Sequence, residues 1–86
     1  MRNHLADVVI PIIHLINTGV GHTEAINTIA KKQKYSNAST CYEACTRRLG
    51  FESIYQFLDM INSGKISGYL INRFPNREDL IKKELS

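Results

Sequence analysis

The stretch Ile29-Ala30-Lys31-Lys32-Gln33-Lys34-Tyr35-Ser36-Asn37-Ala38-Ser39-Thr40-Cys41-Tyr42-Glu43-Ala44-Cys45-Thr46-Arg47-Arg48-Leu49-Gly50 decides how this chain folds. Ile29-Ala30-Lys31-Lys32 reads as the end of one short helix, with cations in the last turn where they complement the helix dipole. Tyr35-Ser36-Asn37 interrupts the rhythm as a polar turn. Ser39 suits the N-cap of a following helix running to about Leu49, and Gly50 suits its C′ position. Cys41, Ala44, Cys45 and Leu49, joined by the stem of Arg48, share one stripe of that helix and predict its inward face. Thr40, Tyr42, Glu43, Thr46 and Arg47 fall on the outward face.

Helical spacing continues on both sides. Leu5, Val8, Val9, Ile12, Ile13 and Ile16 repeat at i, i+3, i+4 and i+7, which predicts a first helix from about Asn3 to Asn17. Pro11 either belongs to the first turn of a shorter helix or kinks a longer one. Gly19 and Gly21 close that segment, and His22 or Thr23 opens a second helix with Ala25, Ile26, Ile29 and Ala30 on one face. Downstream, Phe51, Ile54, Phe57, Leu58 and Ile61 mark a fourth helix stopped by Ser63-Gly64. Ile66 to Arg73 fits a fifth, ended by Phe74-Pro75. Asn76 with Asp79 resembles an N-cap arrangement for a sixth helix through Leu80, Ile81 and Leu85. No segment alternates as a strand would. The expected fold is all-α, a small bundle of five to six short helices.

With 86 residues, there is room for one core, so residues 1–86 read as a single helical domain. A hydrophobic fraction of 43% and a charged fraction of 22% exclude a disordered chain. The longest apolar stretch, Val8 to Ile16, falls short of the roughly 18 residues a membrane span needs. No secretion signal is apparent, which together with two cysteines poorly placed for a disulfide points to a reducing, cytoplasmic setting. Charge is unevenly distributed. From Lys31 to Arg48 five cations face the single acid Glu43, a net of +4, while the rest of the chain carries six cations and seven acids, a net of −1. A positive field confined to one segment suits an anionic partner.

That same segment resembles the helix-turn-helix superfamily of DNA-binding domains. The likeness covers roughly residues 22–50 and rests on the Ile29-Ala30 pair, the small turn, and the Ser39-Thr40-Cys41 start of the next helix. The turn is about one residue longer than usual, and the customary turn glycine is absent. Residues 51–86 then form a C-terminal helical extension that braces a three-helix core or supplies a dimer surface. A winged variant would need a β-hairpin after the recognition helix, where Phe51 to Ile61 instead keeps helical spacing.

The resemblance implies sequence-specific binding of double-stranded DNA by a recognition helix at about 39–49, as in a small transcriptional regulator. Ser39, Thr40, Tyr42, Glu43, Thr46 and Arg47 would face DNA, with Lys31, Lys32 and Lys34 over the phosphate backbone. Glu43 could accept from a cytosine amine or pair with Arg47 at i, i+4. A symmetric homodimer on a palindrome is expected, with the apolar residues of Phe51–Ile61 and Tyr69–Phe74 at its contact. The rival expectation is a helical protein–protein adaptor that binds no nucleic acid. His4, His14, His22, Cys41 and Cys45 lack the spacing of a zinc finger. No nucleophile–base pair or phosphate-cradling loop stands out, so the chain is expected to be no enzyme and to carry no metal or cofactor.

Overall fold

The apolar periodicity breaks wherever turn residues intervene, and the computed structural model, which describes residues 3–85, places a helix in each interval. A π-helical turn, Leu5–Val9, leads directly into α1 (Ile10–Asn17). There follow α2 (His22–Lys32), α3 (Ala38–Leu49), α4 (Ile54–Asn62) and α5 (Ile66–Arg73). A 3₁₀ turn, Pro75–Arg77, then precedes α6 (Glu78–Leu85). The fold is a small all-α bundle, with no strand among the described residues.

The π turn resolves the alternatives at Pro11. An α-helix continued through it would drive the proline ring against the carbonyl of Asp7 and ask for an N–H that proline lacks. Widening the preceding turn avoids both, and the N–H of Ile10 bonds back to the carbonyl of Leu5 instead. The helical run therefore begins near Asn3, whose Oδ1 accepts from the N–H of Ala6 at 3.1 Å while Asp7 Oδ2 accepts from the N–H of Asn3 at 2.9 Å.

Four helices end in one hydrogen-bond pattern. A residue two or three past the helix donates five residues back: Val20 to Leu15, Tyr35 to Ala30, Phe51 to Thr46 and Lys65 to Met60, at 2.9–3.0 Å. The residue before each bonds three back, at 3.1–3.3 Å, as in a Schellman cap. The turn residues are Gly19, Lys34, Gly50 and Gly64, all with positive φ.

A single apolar cluster draws side chains from the π turn and all six helices among the described residues. Ile12, Ile13, Ile26, Cys41, Leu49, Phe57, Leu70 and Ile81 lie within it. His14 reaches from α1 to α6, its Nε2 donating to the Glu84 carbonyl at 2.6 Å.

Several sequence expectations need correction. Phe51 precedes α4 rather than opening it, because Gly50 turns the chain into the left-handed region and Ser53 takes the extended N-cap conformation. Phe51 packs into the core instead, stacked on Tyr69 at 4.7 Å and on Phe57 at 6.0 Å between ring centroids. Asn76 does not cap α6 but lies inside the 3₁₀ turn that Pro75 starts. The apolar surplus assigned to a dimer contact is largely consumed internally. Phe57, Leu58, Ile61 and Leu70 are buried, and among the described residues Tyr55, 70% exposed, is the large apolar side chain facing solvent.

Candidate functional site

The N-terminus of α3 starts earlier than Ser39. Asn37 adopts extended backbone angles and its Oδ1 accepts from the N–H of Thr40 at 2.9 Å, so Asn37 is the N-cap and Ser39 lies in the first turn. Asparagine two residues upstream outcompetes serine because its carbonyl oxygen reaches the third amide of a helix that already includes Ala38. The Thr40 hydroxyl is engaged as well, donating to Asn37 Oδ1 at 3.1 Å and lying 3.2 Å from Ser36 Oγ. Ser39 remains exposed.

Along α3 the predicted stripe holds for Cys41, Ala44, Cys45 and Leu49, all buried. Arg48, assigned to that stripe by its stem, is exposed instead, and its carbonyl accepts from Arg73. On the outward face Thr40, Glu43 and Arg47 are exposed, while Tyr42 and Thr46 are half-buried. Tyr42 packs against the core. Thr46 donates its hydroxyl to the Tyr42 carbonyl, one turn back on its own helix, at 2.8 Å. Glu43 and Arg47 form no ion pair, although their spacing would permit one.

Lys31, Lys32 and Lys34 are exposed at the end of α2 and in the turn that follows. No ion pair among the described residues neutralises them or Arg47. Lys34 carries φ +61° and is the non-glycine residue with positive φ among those described. It fills the position that glycine fills after α1, α3 and α4. A side chain there costs about 1 kcal/mol or more in steric strain. Tyr35, next in the chain, packs against the core and pins the turn. Beside this turn runs a groove of about 740 Å³, bordered by Asn27, Lys31, Tyr35 and Asn37.

The far end of α3 is held by α5. Tyr69 donates its hydroxyl to the Leu49 carbonyl at 2.6 Å, and Arg73 Nε donates to the Arg48 carbonyl at 3.1 Å. The Arg73 guanidinium also covers Gly50 so closely that a Cβ there would lie 2.8 Å from it. These contacts join residues 20 and 25 positions apart, and nothing in local spacing announces them. Ile54 and Phe51 are likewise absent from the sequence-derived site. They complete a groove of about 510 Å³ between α3 and α4, shared with Tyr42, Glu43, Thr46 and Arg47.

Cys41 and Cys45 are buried thiols that form no disulfide. A hydrogen bond with Cys41, then burial, pushes the Cys45 thiol far above its ordinary range, so it stays protonated and unreactive. Among the described residues no three His, Cys, Asp or Glu side chains gather as a metal site would require, and no helix is long and apolar enough to cross a membrane. No protein-family model, curated protein or solved structure matches this chain.

Proposed function

We propose that this protein binds double-stranded DNA through a helix-turn-helix formed by α2 and α3, and that it acts as a small transcriptional regulator. One observation carries the reading. At the turn before the exposed start of α3, the chain keeps a strained lysine where the ends of α1, α3 and α4 use glycine, and that lysine joins Lys31, Lys32 and Arg47 as unpaired cations. Strain retained at one position of four equivalent turns is a sign of function rather than of folding.

In this reading Lys31, Lys32 and Lys34 bind phosphates, and Ser39 adds a contact from the first turn of α3. Arg47 has the fork geometry to bind guanine, and unpaired Glu43 can accept from a cytosine amine. Thr40 serves the cap more than the duplex, since its N–H and hydroxyl already have partners in the turn. A single helix reads few base pairs, so a symmetric homodimer on a palindrome belongs to the proposal, with Tyr55 on α4 as the side chain available for the contact.

Equilibrium binding to random and enriched duplex pools across a salt series tests the reading. With three to five phosphate contacts per protomer, log K should fall against log salt with a slope of about −3 to −4.5. Arg47→Ala should remove sequence preference, while Lys32→Ala should weaken every duplex alike. Equal affinity for all duplexes, unchanged by Arg47→Ala, would reject DNA reading in favour of a helical adaptor.

A further inference from the structure

We infer that the groove between α3 and α4 receives the 5-methyl group of a thymine in the DNA major groove, with Ile54 of α4 as a specificity-determining residue alongside α3. The inference rests on the DNA-binding reading and adds to it the kind of base pair recognised. Its starting point is Thr46. A threonine on a reading helix can offer a hydroxyl proton, oxygen lone pairs or a methyl group. Here the proton is already given to the Tyr42 carbonyl at 2.8 Å, within the same helix. Towards a base, the side chain therefore has its methyl and its lone pairs left to present.

The surroundings of Thr46 favour the methyl. Tyr42 and Ile54 are half-buried against the core, and Phe51 beneath them is 9% exposed and held by its two stacked rings, so the groove has a fixed apolar floor. The α3 side of the groove carries both signs of charge, one helical turn apart. Arg47 supplies donors and Glu43 supplies acceptors, both are exposed, and they do not neutralise one another. Among the groups on base edges in the major groove, the thymine methyl is the apolar one, while guanine offers acceptors and cytosine a donor. An apolar floor beside a helix face that offers both a donor and an acceptor is complementary to a thymine neighbouring a G·C pair. The groove volume of about 510 Å³ accommodates such a methyl without displacing Ile54.

The test uses the full chain and duplexes enriched from a randomised pool, in which thymines are replaced one at a time by uracil, which lacks the methyl alone. At one or two positions uracil should weaken binding roughly fourfold, the value of one buried methyl-sized group. Thr46→Ser keeps the hydroxyl bond to Tyr42 and removes the protein methyl, so it should erase most of that difference. Ile54→Val should reduce it, with circular dichroism melting as the check that the fold survives. Selective duplex binding with no uracil-sensitive position would overturn the methyl inference and leave the DNA reading standing. Failure to prefer any duplex would overturn both.

Discussion

The ends of α2 and α3 share a backbone turn and differ in what fills it. Both close with a five-back bond, Tyr35 to Ala30 at 2.9 Å and Phe51 to Thr46 at 3.0 Å, and both place an aromatic side chain on the core just beyond. After α3 the left-handed residue is Gly50, pressed beneath Arg73 and followed by a helix packed against α3. After α2 it is Lys34, open to solvent and preceded in the chain by Lys31 and Lys32. One turn is built for packing and carries no side chain. The other accepts steric strain and carries a charge. The contrast separates a turn covered by the Arg73 side chain of α5, after α3, from an open cationic turn after α2 that is proposed to meet phosphates.

The sharpest way to break this comparison is Gly50→Ala, which should cost about 1–2 kcal/mol because a Cβ at φ +76° is strained in any surroundings. A urea titration reads the loss as a lower midpoint at constant slope. Repeating it in an Arg73→Ala background separates causes. If the cost persists, backbone strain dominates, and if it vanishes, the guanidinium contact does. Tyr69→Phe isolates the clamp from α5. It keeps the stacking on Phe51 but removes the donor to the Leu49 carbonyl, and should lower stability by about 1 kcal/mol. An unchanged midpoint would mean that water replaces the hydroxyl and that α5 does not fix the end of α3. Lys34→Gly should have the smallest effect and the opposite sign, stabilising the fold by about 0.5 kcal/mol as relieved strain outweighs added chain entropy. The same variant should bind duplexes less tightly. Gains in both stability and affinity would remove the functional reason for the lysine.

Much of the architecture was legible in the residues. Ile66–Arg73 occupies the predicted fifth helix, and the stripe Cys41, Ala44, Cys45 and Leu49 turned inward, because 3.6-residue spacing and buried apolar area act together within one helix. Errors gathered at boundaries. Ser39 and Asn37 are both good caps, and the choice depended on which residue the turn leaves in an extended conformation. Phe51 kept helical spacing with α4 yet belongs to the cap of α3, since spacing alone does not reveal where a left-handed glycine redirects the chain. Within the candidate site, the exposure of Lys31, Lys32, Lys34 and Arg47 followed from charge alone, whereas the half-burial of Tyr42 and Thr46 depended on α4.

The order of amino acids by itself determined an all-helical chain, the inward faces of its helices, and a cationic segment from Lys31 to Arg48, because hydrophobic period and charge are properties of neighbours along the backbone. Tertiary structure alone decided that Tyr69 and Arg73 hold the last carbonyls of α3, that Ile54 borders its outward face, and that most of the apolar residues of α4 face the core. Those outcomes depend on how rigid helices dock across intervening turns, and a hydrogen bond between residues 20 or 25 positions apart forms only after the core has fixed both ends in space.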